Sequence, residues 1–451
     1  MARFISVDWE TGYLLPPSVQ EWLPESHLAR FVVDVVNQLD LRKLESAYAG
    51  RGSDAHHPSV LLGLLIYGYA TGVYSSRAIE RGTYDSVAFR FIAANTHPDH
   101  DTINTFRKQF WDDIESVFAQ VLRIAAGLGV LKLGVVSLDG TKVKANASKH
   151  SALSYGHAKK LEERIAAEIA QLKRRAEAAE GLPDDLSLPE ELARRETRLA
   201  KIREVKAEIE ARAQERDAQA QAEYQDKLKR RQEQREQGKT PRGREPKPPA
   251  TGAQDSDQLN LTDPKSRIMP SGSDFVQGYN AQVAVDTATM LIVAHGAVQA
   301  TNDKQQVEPM FDPLSNLRQQ IGTDQAVPTH LLTDSGFFSH DNVDACANQG
   351  IVPMMAEKRD AHSGWLDRKL APVPEAPENP TPLQAMRHRM ATPEGKVLYG
   401  LRKCTVEPTI GIIKQVMRFR QFSVRGLERV QGEWGLVCLA FNIKRLAVLN
   451  G

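Results

Sequence analysis

Apolar positions recur at helical spacing through residues 28–39, where Leu28, Phe31, Val32, Val35, Val36 and Leu39 fall on one face. The run Val60–Tyr74 (VLLGLLIYGYATGVY) is apolar all round, but too short and too glycine-interrupted to span a bilayer, which predicts a buried helix. WDDIESVFAQVLRIAAGLGVL is again amphipathic, so 1–133 reads as a helical domain. Within it, Asp101 is placed to cap a helix that carries Thr102, Arg107 and Lys108. A capped basic helix of this kind can read DNA. Local pattern alone favours a compact bundle whose basic residues are simply solvated.

From 134 the periodicity changes. Val135–Leu138 begins a strand, and FVQGYNAQVAVD with MLIVAHGAVQA alternates as a hairpin. THLLTDSGFF and QGIVPMMAE read as short buried strands around the helix HDNVDACANQ. The chain closes with helices over TVEPTIGIIKQVMRF and EWGLVCLAFNIKRLAVL. Strands mixed with helices make this part α/β (α+β).

Two segments interrupt it. Residues 158–250 hold 23 Lys/Arg and 20 Asp/Glu with one aromatic, Tyr224. Leu161, Ile165, Ile169 and Leu172 share one helix face, and Leu199, Ile202, Ile209 and Ala213 another. A coiled-coil-like helical hairpin follows from that pattern. Over 226–247, nine basic residues against four acidic ones, with Gly and Pro, predict a flexible basic linker. LAPVPEAPENPTP is too proline-dense for regular structure. The expected organisation is therefore a helical domain over 1–133, an α/β domain from 134–157, 262–359 and 396–451, a charged helical insertion over 158–261, and a Pro-rich loop over 360–395.

Composition narrows the chemistry. With 58 Lys+Arg against 57 Asp+Glu, the chain is no uniformly basic nucleic-acid coat, though local patches are allowed. Three scattered cysteines (Cys346, Cys404, Cys438) without a C-x-x-C exclude a disulfide framework and a Cys-rich zinc site, and fit a reducing compartment. The start MARFISVDWE lacks the pattern of a secretory signal, so the sequence reads as soluble, cytoplasmic and without a membrane partner. His97 and His100, three apart in a Pro-containing loop, read as loop or capping residues rather than metal ligands.

Three carboxylates stand out. Asp139 follows an apolar strand, where an acid is costly unless a cation or donor satisfies it. Asp334 ends another strand just before Gly336, and active sites of open α/β sheets collect at such ends. Glu407 lies in RKCTVEPTIGIIKQVMRF; with Thr405 as cap and Pro408 in the first turn, it would feel the positive end of the helix dipole. Val406, Ile410, Ile413 and Met417 would form the buried stripe there.

Taken together, a strand Asp, a hairpin, a strand-end Asp and a helical Glu resemble the DDE transposases of bacterial insertion sequences. Tyr399, Arg402, Glu407 and Lys414 resemble that family's C-terminal signature. Arg402 sits one residue farther from the Glu than usual and Lys403 stands at the usual place, so both are candidates for the basic role. LDGTKVKANAS, GYNAQVAVD, TDSGFFS, the N-terminal SRAIERGTYDSVAFRFIA and PDHDTINTFRKQF, and RGLERVQGEWGLVCLAFNIKRL extend the likeness over most of the chain.

The resemblance implies an RNase H-like mixed sheet with flanking helices, and an enzyme that cuts the inverted-repeat ends of its own element and joins the 3′ ends to target DNA. It implies Asp139, Asp334 and Glu407 as catalytic residues holding two Mg2+ ions, with Mn2+ able to substitute. Hard oxygen ligands suit these ions. It also implies double-stranded DNA as partner, a homodimer on DNA and nucleoid association. Over 399–445, nine basic residues face three acidic ones, as a phosphate-gripping surface requires. Tyr399, Arg402, Lys403, Lys414 and Arg418 are expected there, with Lys142 and Lys144 beside Asp139, and Arg107 and Lys108 on a DNA-reading helix. The competing readings are a metal-dependent nuclease without strand transfer, and a DNA-binding protein that has lost catalysis.

Overall fold

The computed structural model describes residues 18–48, 55–131, 133–178, 187–236, 238, 240, 241, 244–272, 274–321, 328–358 and 372–450. The described residues up to Asn146, together with those from Met269 onward, form one compact unit, and Ala147–Ile268 form a second.

The first unit begins with helices α1 (Val19–Trp22), α2 (Leu28–Asn37), α3 (Arg42–Ser46), α4 (Pro58–Thr71), α5 (Ser76–Asp85), α6 (Val87–Ile92), α7 (His100–Phe110) and α8 (Ile114–Gly127). In α4, Pro58 occupies the first turn, where its missing N–H costs nothing, and Gly72 at φ +83° ends the helix in the left-handed region. Every residue from Leu61 to Ala70 is buried, as an all-round apolar helix requires. In α7 the cap is Asp99, whose carboxylate accepts from Thr102 N at 2.6 Å. The expected cap, Asp101, lies within the first turn, where its charge still favours the helix start.

The strands of this unit are β1 (Val135–Lys144), β4 (Arg267–Ser271, of which Met269 onward belongs to this unit), β5 (Asp274–Asp286), β6 (Ile292–Val298), β7 (His330–Thr333) and β8 (Val352–Met355); β2 and β3 belong to the second unit. They order β6–β5–β1–β7–β8, with β4 a further partner of β5. β5 is antiparallel to β1 and β6, whereas β7 is parallel to β1 and β8. The result is a mixed sheet with β1 at its centre. α11 (Phe311–Ile321) and α12 (His340–Asn348) supply crossovers between its strands, and α13 (Pro382–Ala391), α14 (Pro393–Gly411) and α15 (Leu427–Asn450) follow. α15 is buried almost throughout from Val430 to Leu446. Its Trp434 donates to Gln282 O at 3.0 Å, and its Asn442 bonds both backbone groups of Ile292 at 2.8 Å. These polar contacts fix where the helix sits on β5 and β6, which burial alone would leave free to slide.

Two boundaries differ from the sequence reading. The Pro-rich segment is irregular only over 372–381; from Pro382 it is helical, because Thr381 forms a capping box with Gln384. The rest of that predicted loop, up to 371, lies outside the described residues. The helix bearing Glu407 starts at Pro393, capped by Thr392, rather than at Thr405. Pro408 therefore sits inside the helix, and Thr405 is buried, its hydroxyl donating to Leu401 O at 2.8 Å. Just beyond the proline the backbone widens into a π-helical turn, Ile412–Val416.

In the second unit, α9 (Tyr155–Ala178) and α10 (Ser187–Glu236) pack through Ala158, Leu161, Ile165, Ile169, Leu199 and Ile202. Glu162 meets Lys206 at 2.6 Å and Arg203 at 3.0 Å across the seam. β2 (Ala152–Ser154) and β3 (Gln258–Asn260) pair beside them. α10 continues to Glu236, so the first half of the expected flexible linker is helical: its residues are good helix formers, and no Gly or Pro interrupts them before Gly238.

Candidate active site

The register brings two acids together. β1 and β7 pair in parallel up to Leu138↔Thr333, so the next residue on each strand is an aspartate, Asp139 beside Asp334. Each is pinned locally. Asp139 Oδ1 accepts from Gly140 N at 2.8 Å, and Asp334 Oδ1 accepts from Gly336 N at 2.8 Å.

Glu407 reaches the pair through Arg402. The guanidinium Nη1 lies 3.3 Å from Asp139 Oδ2 and Nη2 lies 2.8 Å from Glu407 Oε1, with Arg402 87% withdrawn from solvent and Glu407 half-exposed. Arg402, not its neighbour Lys403, thus stands between the acids; Lys403 is exposed. Glu407 lies in the last turns of α14, so the helix dipole there is unfavourable to its charge and Arg402 supplies the compensation.

The remaining expected residues divide. Tyr399 donates to Thr333 O at 3.1 Å, and Lys414 Nζ donates to Lys142 O at 3.1 Å. Both therefore brace the strands that carry the aspartates. Burial, then the charge of Lys142, lowers the pKa of Lys414. Lys142 points into the unit, its ammonium 3.6 Å from Asp303 Oδ1. Lys144, Arg418 and Lys108 are exposed. Arg107 is occupied by Tyr74 O at 3.1 Å and Asn104 Oδ1 at 2.9 Å. His97 and His100 serve locally, contacting Thr83 and Glu80.

Asp303 escaped the sequence reading. It sits in the polar stretch QATNDKQQ after β6, where neither period nor apolar context marks it. Only the pairing of Gly140 with Gln282 and Lys142 with Asn280 reveals it, since both amides donate to Asp303 Oδ1 at 2.7 Å. A Cβ on Gly140 would lie 2.6 Å from that oxygen and 2.4 Å from Gln282 Nε2. Only glycine leaves this space.

Burial pushes the Asp139 carboxyl up to about 6; the charge of Asp334 adds to this and that of Asp303 contributes less, against the Gly140 N–H and Arg402. A raised folded pKa means that stability present below the unfolded value near 3.8 is lost as pH rises toward 6. Asp139→Asn, which keeps the uncharged form, should stabilise the metal-free protein at pH 7.5 by about 1–2 kcal/mol. Two pKa units correspond to ~3 kcal/mol, reduced because Arg402 loses a partner. Urea unfolding in EDTA checks this; a variant less stable than wild type at pH 7.5 would contradict it.

Crowded carboxylates with hard oxygen donors, no thiolate or imidazole among them, suit a divalent ion such as Mg2+. Among the described residues no group of three or more His, Cys, Asp or Glu side chains stands at metal-holding spacing; Glu407 is paired with Arg402 instead.

Two family matches cover most of this architecture. Residues 17–109 match the Transposase domain (DUF772), and residues 246–443 match the Transposase DDE domain. The chain belongs to the insertion-sequence DDE transposases. No curated protein and no solved structure matches it significantly. The DDE match contains Asp334, Arg402 and Glu407; Asp139 lies before it, separated in sequence by most of the second unit. The mixed sheet with flanking helices is that of an RNase H-like catalytic domain. This transposase acts on DNA, and its family uses divalent metal ions. No single described helix is long and apolar enough to cross a membrane.

Proposed function

We propose that this transposase cleaves the ends of its own insertion sequence with Asp139, Asp334 and Glu407 and joins the freed 3′ ends to target DNA. The observation that carries the reading is the adjacency of Asp139 and Asp334 at the centre of the sheet, with Glu407 linked to Asp139 through one buried arginine.

Asp139, Asp334 and Glu407 would hold divalent ions, which when bound would supply activation of the attacking oxygen and neutralisation of the departing one. The protein's own part is positioning. Gly140 N–H and Gly336 N–H fix one oxygen of each aspartate and leave the other turned to the site. Tyr399 holds the carbonyl of Thr333, immediately before Asp334, and Lys414 holds that of Lys142, three residues after Asp139. When Glu407 joins the aspartates, the Arg402 guanidinium is released to meet a phosphate of the bound strand, where it can form paired hydrogen bonds. Exposed Lys403 and Arg418, in and after α14, and exposed Lys144 at the end of β1 extend this grip along the DNA backbone. The helices of 17–109, with Lys108 exposed on α7, bind the element end. A dimer holds two ends together.

Incubating the full chain with DNA carrying the inverted repeats that flank its coding sequence tests this. Cleavage at the repeat boundary with Mg2+ or Mn2+, and none in EDTA, is expected. Pre-cleaved ends should then be joined to a target plasmid. Cleavage without joining would leave a nuclease, and binding without cleavage an inactive DNA-binding protein.

A further inference from the structure

Asp303 has the surroundings of a ligand-holding residue. Its Oδ1 takes both amide donors, Asn280 Nδ2 and Gln282 Nε2, and faces the Lys142 ammonium. Its Oδ2 has no hydrogen-bond partner among the described residues, and lies 3.7 Å from the point where a Cβ on Gly336 would sit; Asp334 Oδ1 lies 3.0 Å from the same point. One oxygen is therefore anchored and the other lies on the side of Asp334.

The anchoring leaves a second mark. Asn280 and Gln282 are fully buried, yet Asn280 Oδ1 and Gln282 Oε1 accept no hydrogen bond among the described residues, and the Lys142 ammonium, 3.6 Å from Asp303 Oδ1, is ion-paired without a hydrogen bond. Unsatisfied buried polar groups are costly, and natural proteins keep them chiefly where a water or a ligand completes the network. Both amides spend their donors on Asp303, so their orientation is set by holding its carboxylate in place. Gly140 and Gly336 keep side chains out of the space between the acids.

We propose that Asp303 is a fourth active-site carboxylate, which contributes Oδ2 to the divalent-ion site of Asp139 and Asp334. In the DNA-free protein the three aspartates stand short of metal-holding spacing, so the ion itself would draw Asp303 Oδ2 in, while Glu407 is tied to Arg402. Glu407 enters when DNA draws Arg402 away. This rests on the metal-dependent reading above and adds a ligand to it.

Mn2+ binding to the full chain without DNA, followed by electron paramagnetic resonance or calorimetry, tests the proposal. Asp303→Asn should weaken Mn2+ binding about tenfold or more, as Asp139→Asn does, while Asp303→Glu restores part of the affinity. Glu407→Gln should change it less than Asp303→Asn. Melting in EDTA separates this from a folding defect: Asp303→Asn keeps an oxygen for one amide and should melt within a few degrees of wild type. Wild-type Mn2+ affinity in Asp303→Asn, with affinity lost in Asp139→Asn, overturns the fourth ligand and leaves the catalytic reading intact. Loss of affinity in Asp303→Asn that Asp303→Glu does not restore, accompanied by a large drop in melting temperature, also overturns it and assigns Asp303 a structural role. A wild-type chain that neither binds Mn2+ nor cleaves element ends overturns both readings.

Discussion

Asp139→Asn, Asp334→Asn and Glu407→Gln should each lower strand cleavage at the element end by about a thousandfold or more while leaving end binding within a factor of about three. Each change replaces a charged oxygen by an uncharged amide of nearly the same shape, so the fold is kept and the ionic ligand is lost. A thousandfold loss corresponds to ~4 kcal/mol of transition-state stabilisation, the scale expected when a metal-held charge is removed from a site that does its chemistry by electrostatics. The three variants should differ off DNA. Asp139→Asn and Asp334→Asn relieve the repulsion between two adjacent carboxylates, whereas Glu407→Gln only loosens Arg402 from α14. Gel-shift and cleavage assays on one labelled end, run with excess Mg2+ and then with Mn2+, make the comparison. Retention of full cleavage by any of the three would remove that residue from the catalytic set.

Much of this site was legible because its parts are strand-borne. Asp139 and Asp334 each follow a short apolar run, and a polar residue in that position is conspicuous at period two. The strands β5, β6, β7 and β8 and the hairpin α9–α10 followed from pattern in the same way. What pattern could not give is register. Asp303 sits in a polar loop indistinguishable from other loops until β1 and β5 are aligned, and Lys142 looks like a strand-edge cation until its ammonium is seen to face Asp303. Helix starts failed for a related reason. Thr405 followed by Pro408 imitates a cap and first turn, but the cap is Thr392, whose hydroxyl accepts from Gly395 N at 3.0 Å, and the π turn after Gly411 ends a helix that contains the proline. Asp99 was preferred to Asp101 by an equally local competition between two acids.

The largest stability effect is expected far from the carboxylates, at Glu433. This residue of α15 is fully buried and meets no cation in its hydrogen bonds. Its Oε1 accepts from Tyr69 Oη of α4 at 2.8 Å and from the Ser423 hydroxyl, and its Oε2 accepts from Ser423 N at 2.8 Å and Val424 N at 3.4 Å. One carboxylate thereby joins the N-terminal helices to the segment that returns beside β1, where Phe422 N donates to Lys144 O at 2.8 Å and Lys144 N donates to Arg420 O at 3.2 Å. Glu433→Ala removes every acceptor at once and leaves buried donors unpaired, which should cost about 3–5 kcal/mol. Glu433→Gln keeps one acceptor but turns an NH2 toward groups that themselves donate, so about 2 kcal/mol is expected. Urea unfolding followed by tryptophan fluorescence suits the measurement, because Trp434 is the next residue and is itself buried. Both variants should cleave element ends at nearly the wild-type rate at low temperature, where the folded state still dominates, since Glu433 acts on β1 only through the Ser423–Val424 segment. An Ala variant within 1 kcal/mol of wild type would mean that water or a shifted backbone satisfies Tyr69 and Ser423 as well as the carboxylate does. A cold-active loss of cleavage at unchanged stability would instead place Glu433 among the residues that position Asp139.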